Sequence, residues 1–230
     1  KLTWLNGYDL WSLHPIPGFF SPRQPQQPPS SSASIRLSDG PNGVRKPLTD
    51  LSLQEAHPAT CFPPAFAAAC SWSETVMERM GRALAMESRY YDVQVLLGPG
   101  VNLKRHYYGG RNHEYFSEDP FLTGRLACGY ISGVQESGHV AACIKHFCLN
   151  NQESHRMVVN VVCDERTMRE LYLPAFEVAI KRPRELQPRT IMAAYNKVMG
   201  EYCCESPRLL QSILRDEWKY EGAVISDWAA

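Results

Sequence analysis

Apolar positions along the chain switch repeatedly between two periods. Between Cys70 and Tyr91, Val76, Met80, Ala83, Leu84 and Glu87 recur at helical spacing, with Ser71 or Ser73 as the N-cap. Val93–Leu97 is a short continuous apolar run ending in Gly-Pro-Gly, the pattern of a strand stopping in a loop. The alternation then continues. Pro120–Gln135 predicts a helix, Val140–Phe147 a buried strand, and Val158–Cys163 a further strand. Asp164 is placed to cap a long amphipathic helix over Glu165–Lys181, with Leu171, Ala175, Val178 and Ala179 on its inner face. Thr190–Tyr195 reads as a strand, Ser206 as the cap of a helix over Pro207–Trp218, and Ala223–Ser226 as the last strand.

Strands that are apolar throughout and alternate with helices predict a parallel sheet covered on both faces. An open doubly wound sheet and a barrel both satisfy that pattern. Polar residues follow nearly every strand: Asn102, Lys145-His146, Asp164, Tyr195-Asn196 and Asp227. A barrel gathers such strand ends into one mouth, so the expected fold class is α/β, a (β/α)8 TIM-type barrel. A full barrel takes roughly 250 residues, so the last unit is expected to lie beyond Ala230.

Residues 21–34, SPRQPQQPPSSSAS, break the alternation. Four prolines remove backbone donors and almost nothing apolar is left to bury, which predicts a loop between a short piece, 1–20, and the rest. The chain opens on Lys1, with no secretory n-region and h-region, and closes just after an apolar strand. It reads as part of a longer protein: an N-terminal segment, 1–34, and an incomplete barrel, 35–230.

Composition then removes function classes. Twenty-four Lys and Arg balance twenty-four Asp and Glu, so no bulk positive charge favours nucleic acid or an anionic membrane surface. No apolar run approaches the roughly 20 residues that span a bilayer. The eight cysteines include no CxxC pair, and buried free thiols are expected. No P-loop, GxGxxG, HExxH or GxSxG occurs, and His139, His146 and His155 match no zinc spacing. Neither a metal nor an organic cofactor is expected.

Several segments place chemistry at loop positions, each with a bland counterpart. Ala223–Trp228, AVISDW, ends a buried strand on a carboxylate beside an indole, which suits a sugar; an Asp capping a helix and a Trp packed on a rim fit equally. Ser38–Arg45, SDGPNGVR, surrounds Asp39 with turn residues that could present it to vicinal hydroxyls, and is also ordinary turn chemistry. In IKHF, Lys145 and His146 end an apolar strand, where burying charge is costly without a partner. A polar ligand or an ion pair within the barrel would compensate. GGRNHEYFSEDP offers Arg111 after two glycines, or simply a surface loop. TIMAAYNK sets Met192 and Tyr195 near a strand end, where a core methionine and a rim tyrosine are usual.

In this order SDGPNGVR, GGRNHEYFSEDP, IKHFCLNNQE-SHRM, DERTMRELYLPAFE, IMAAYNKV and VISDW resemble the signature blocks of glycoside hydrolase family 3, specifically its β-glucosidases, from residue 35 to the end. The resemblance implies that Asp227 is the catalytic nucleophile of a retaining glycosidase. It implies that Asp39 holds the distal hydroxyls of the terminal sugar. Arg111, Lys145, His146 and Arg156 would donate to hydroxyls, Tyr195 would sit against the nucleophile, and Met192 and Trp228 would line the pocket. The implied partner is a small oligosaccharide or β-glucoside, with no nucleic acid and no membrane. Secretion of the full-length protein is expected with a cellulose-derived substrate. In the family the acid/base Glu comes from a second α/β domain, and no carboxylate of this chain matches it.

Departures from the family pattern are local. His113 stands where an aromatic is usual, and His106-Tyr107-Tyr108 replaces a Ser-Pro-Leu-like turn. Residues 19–34 interrupt what would be a short link between PIPG and IRLSDG, as translated intron would. A related exo-glycosidase, a β-xylosidase or a β-N-acetylglucosaminidase, is the first alternative; the latter's Gly-His-rich block is missing from CLNNQE. A sugar-binding fragment without activity is the second.

Overall fold

Strands built from consecutive apolar residues have no solvent face, so they must lie between two apolar layers. The computed structural model describes residues 7–9, 12–13, 35–49 and 55–230. The proline-rich loop expected over 21–34 lies outside them. The strands of the main sheet are β1 (Gly7–Asp9), β2 (Ser12–Leu13), β3 (Ile35–Ser38), β4 (Val95–Leu96), β5 (Ala141–Phe147), β7 (Thr190–Ala193) and β10 (Ala223–Ser226). They run in the order β1-β2-β3-β4-β5-β7-β10. β1 and β2 form an antiparallel flap on β3, and every pairing from β3 to β10 is parallel. The sheet curls into part of a TIM-type barrel, as the alternation predicts.

Side-chain parity divides the core in two. Ile35, Leu37, Val95, Leu97, Ala141, Cys143, Met192 and Ile225 form the inner cluster, with Trp228 packed on it. Leu96, Ala142, Ile144 and Ile191 point the other way, into a larger cluster shared with the helices. Those helices are α1 (Ala65–Ala69), α2 (Glu74–Tyr90), α3 (Pro120–Gln135) and the composite α4–α5. In the last, α4 (Glu165–Thr167) and α5 (Pro174–Ile180) flank a π-type segment, Met168–Tyr172. A π-type helix, Arg208–Glu217, precedes β10. Among the described residues no helix is long and apolar enough to cross a membrane.

Three sequence expectations need correction. Val158–Cys163 is no barrel strand: only β6 (Asn160–Val161) is extended, and it pairs with β8 (Lys197–Val198), which pairs with β9 (Glu201–Tyr202). Val158 and Val162 stay exposed, and Asn160 Oδ1 accepts from the Gly200 amide at 2.8 Å. Asp164 therefore does not join the strand ends; its carboxylate caps α4, accepting from Thr167 N at 2.9 Å. The buried stripes are also displaced. α2 turns Met77, Met80, Leu84 and Ala85 inward and leaves Val76 exposed, with Ser73 as the cap. Widening at Met168–Tyr172 rotates Leu171 toward solvent; Ala175 and Ala179 are buried as expected, and Met168, Leu173, Phe176 and Ile180 join them in the core. Of the eight free cysteines, Cys128, Cys143, Cys148 and Cys203 are buried, while Cys61 and Cys70 are exposed.

α2 and α3 pack close because small residues line the seam. A Cβ on Gly133 would overlap the Glu78 carbonyl oxygen, and one on Gly81 the Tyr130 carbonyl oxygen. Alanine in a helix is favoured over glycine by about 1 kcal/mol, whereas forcing extra volume into a packed contact costs roughly 1–3 kcal/mol. Gly133→Ala is therefore expected to lower stability despite its better propensity. A urea-unfolding midpoint at or above wild type would show that the seam is not close-packed.

Candidate active site

The parallel strands deliver their polar residues to one end of the curled sheet. β3 runs into Asp39, and the loop after β4 carries Asn102, Arg111, Glu114 and Tyr115. β5 contributes Lys145 and His146 near its end. The register between β5 and β7 slips between Ile144 and Phe147, so two consecutive residues sit in the irregular stretch. Arg156 lies in the loop after β5, Tyr195 follows β7, and Asp227 and Trp228 follow β10. The structure gathers eight of the nine residues expected at the site into two adjacent sets, Asp39, Arg111 and Lys145 around Glu114, and His146, Trp228, Tyr195 and Arg156 around Asp227. Met192 joins them from below, fully buried in the inner cluster against which Trp228 packs.

An ion cluster forms the floor. Lys145 Nζ lies 2.9 Å from Glu114 Oε1 and 3.8 Å from Asp39 Oδ1. Arg111 grips the other Glu114 oxygen, with Nη2 at 2.7 Å and Nε donating at 2.8 Å. Lys145 and Glu114 are both buried. Burial by itself would raise Glu114, but the Lys145 ammonium and the Arg111 guanidinium overcome it and hold the carboxyl well below its ordinary range. Burial likewise works against the Lys145 ammonium, yet Glu114 and Asp39 leave it more basic than an ordinary lysine. Asp39 is half-exposed and also faces Arg45 at 3.9 Å.

Asp227 has a different environment. Its Oδ1 accepts from the Trp228 amide at 2.8 Å, while buried Oδ2 makes no hydrogen bond and lies 3.6 Å from His146 Nε2. Burial raises this carboxyl, against the Trp228 amide, Lys145, Tyr195 and Arg111, which pull it down. The Tyr195 phenol is pushed up by burial and by the Asp227 charge beside it. Arg156 stacks its guanidinium 4.8 Å above the Tyr195 ring and pairs with Glu153 at 3.1 Å. His146 is buried, and burial, then Arg111 and Lys145, hold its imidazole well below the ordinary value, so it is neutral.

Sequence reasoning missed Glu114, Tyr115 and Asn150. Glu114 and Tyr115 stand inside the GGRNHEYF block, three and four residues after Arg111, but nothing local distinguishes them from a loop surface. The departures at His106–Tyr108 and His113 do not displace Arg111: His113 is exposed, and Asn112 Nδ2 donates to the His106 and Tyr107 carbonyls. Among the described residues no group of three His, Cys, Asp or Glu side chains is placed to hold a metal ion.

Removing one member of a buried ion pair leaves the other charge uncompensated, at a cost of about 3–5 kcal/mol. Glu114→Gln is expected to lose stability on that scale. Adding Lys145→Met should recover part of it, with a coupling above about 1 kcal/mol in a double-mutant cycle of urea-unfolding energies. Strictly additive losses would mean that the pair is not coupled in the folded protein.

The model of the glycosyl hydrolase family 3 N-terminal domain matches residues 52–230. The chain is 46% identical over 228 residues to a thermostable β-glucosidase B of Acetivibrio thermocellus, covering 98% of this chain and 28% of that protein. It is also 46% identical to an exo-α-(1→6)-L-arabinopyranosidase of Bifidobacterium breve, over 100% of this chain and 29% of that one. The structure of β-glucosidase 3B from Thermotoga neapolitana in complex with glucose superposes with a TM-score of 0.80 at 42% identity, over 95% of this chain and 28% of that chain. The chain thus spans under a third of the length of these relatives. With the family model, the relatives and the barrel in agreement, this chain belongs to glycosyl hydrolase family 3 and matches its N-terminal domain over residues 52–230.

Proposed function

We propose that the protein is a retaining β-glucosidase that removes terminal glucose from the non-reducing end of cello-oligosaccharides or β-glucosides. The observation that carries this reading is Asp227: a buried carboxylate at a strand end, one oxygen without a hydrogen bond, among donors suited to hydroxyl groups. In the proposed reaction an Asp227 oxygen attacks the anomeric carbon as the glycosidic bond breaks. The leaving oxygen takes a proton from a general acid, and water then hydrolyses the glycosyl ester. Lys145, His146, Arg111 and Arg156 bind sugar hydroxyls, Asp39 accepts from the distal ones, and Trp228 with Met192 lines the apolar side of the pocket. Tyr195 orients the nucleophile.

Retention needs a second carboxyl roughly 5–5.5 Å from the first. Glu114 and Glu153 are paired with arginines or Lys145, which favours an acid/base supplied by a second α/β domain of a longer protein. On this reading the 230-residue chain alone binds sugar and forms the glycosyl ester with activated substrates, but does not turn over cello-oligosaccharides. A pentopyranosidase is the second reading, favoured by the name of the Bifidobacterium relative. Glucose differs from these pentoses in bearing a hydroxymethyl group.

A fluorinated substrate with a good leaving group needs little acid assistance. With 2,4-dinitrophenyl 2-deoxy-2-fluoro-β-D-glucoside, the peptide containing Asp227 should gain one fluoroglucosyl mass, and Asp227→Asn should gain none. Label on another residue would overturn the assignment of the nucleophile. Initial rates on aryl β-glucoside, β-xyloside and α-L-arabinopyranoside decide the sugar, with the glucoside expected to be fastest.

A further inference from the structure

A neutral imidazole carries one N–H, so His146 can donate from Nε2 only if Nδ1 is an acceptor. Nε2 faces Asp227 Oδ2 at 3.6 Å, and that oxygen has no hydrogen-bond partner. A nitrogen lone pair there would repel the carboxylate, whereas an N–H is attracted to it. Nδ1 must then receive a hydrogen bond, and the Tyr115 hydroxyl lies 3.1 Å away. The geometry around that hydroxyl leaves its proton for this use. Asn102 Nδ2 donates to the phenol oxygen at 3.3 Å and Asn150 Nδ2 at 3.5 Å, which occupies both lone pairs. The nearest competing acceptor, the Asn150 carbonyl, is farther, at 3.3 Å.

Asn102 and the Tyr115 ring are themselves fixed. Asn102 Oδ1 accepts from the Asn150 amide at 3.3 Å while its Nδ2 also donates to the His146 carbonyl at 3.0 Å, so turning the amide over would set oxygen against oxygen. The Tyr115 ring lies against Gly100, where a Cβ would come within 2.9 Å of ring carbon Cδ1. Asn102, Tyr115, His146 and Asn150 are all buried. We propose that Tyr115 is a positioning residue that sets the tautomer of His146, placing its proton on Nε2, toward Asp227 and the sugar. The catalytic consequence rests on the glycosidase reading; the tautomer itself does not.

The charged groups facing the imidazole are Arg111 and Glu114 from the loop after β4, Lys145 on β5, Arg156 from the following loop, and Asp227 after β10. Tyr115→Phe keeps the ring and all of these charges; it removes the donor to Nδ1 together with the oxygen that accepts from the Asn102 and Asn150 amides. In the full-length protein, kcat/KM on aryl β-glucoside should fall roughly tenfold, mostly in kcat, the scale of one buried hydrogen bond. The acid limb of its pH profile should move up, because Nδ1 without its donor is easier to protonate. An unchanged rate and profile would overturn the proposal. Ring 15N spectra of histidine-labelled wild type, with His146 assigned by its loss in His146→Gln, give a readout independent of activity and of whether Tyr115→Phe folds. A protonated Nε2 beside an unprotonated Nδ1 is expected, and a protonated Nδ1 overturns the tautomer. Absence of turnover on every glycoside, with no label on Asp227, would defeat the glycosidase reading and leave the spectrum to decide the tautomer.

Discussion

The site depends on one buried carboxylate held between two cations. Lys145 sits near the end of β5, where an ammonium without a partner would be driven to lose its proton or to pull the strand end toward water. Glu114 prevents both from a loop thirty-one residues earlier, and Arg111 grips its second oxygen. A buried pair of this kind contributes little net stability once desolvation is counted, but breaking it is costly. Its structural consequence is registration: the loop after β4 can take only the position that brings Glu114 to Lys145. That position sets Tyr115 beside His146 and Asn102 beside the post-β5 loop. The ion pair thereby adds a side-chain link between two neighbouring strand ends that backbone bridges from Gly100 to Tyr115 and to Lys145 already hold together.

Much of this fold is readable from local pattern because local rules and tertiary packing agree. Pro120–Gln135 has Asp119 as its cap, a proline in its first turn and a nearly continuous apolar face, and it is helical over the whole predicted span. Ala223–Ser226 is likewise a strand as expected. The failures have specific causes. The run over 158–163 is apolar, but Asn160 bonds Gly200, Val158 and Val162 stay exposed and only Val161 and Cys163 pack partly on the core, so a small side sheet replaces a barrel strand. In α2 Met80 and Leu84 face inward as expected, but the close approach to α3 selects the face that also bears Met77 and Gly81 over the one bearing Val76.

The site divides in the same way. Groups carried at or just beyond strand ends, Lys145, His146, Tyr195 and Asp227, follow from the barrel reading and the family blocks, since topology alone gathers them. Glu114, Tyr115 and Asn150 do not, because their partners lie thirty or more residues away and no periodicity links a loop residue to a distant strand end. A carboxylate three residues after an arginine is common on surfaces. Only its burial against Lys145 distinguishes it.

Two carboxylates in one mouth are pushed in opposite directions, and the difference is in what surrounds each. Glu114 touches an ammonium and a guanidinium directly, and they hold it low; its charge is spent on them. Asp227 receives one backbone N–H, sits beside an imidazole and a phenol and makes no ion pair with Lys145 or Arg111, whose pull on it burial outweighs. An anion neutralised by contact cations is a poor nucleophile, while one kept short of partners retains an available lone pair. His146 must stay uncharged for this contrast to persist, since an imidazolium at 3.6 Å would compensate Asp227 as Lys145 compensates Glu114. Arg111 and Lys145 therefore act twice: they bind Glu114 directly, and through their positive field they help keep the imidazole neutral. The same cluster that holds the loop in register thus leaves Asp227 the less compensated of the two carboxylates.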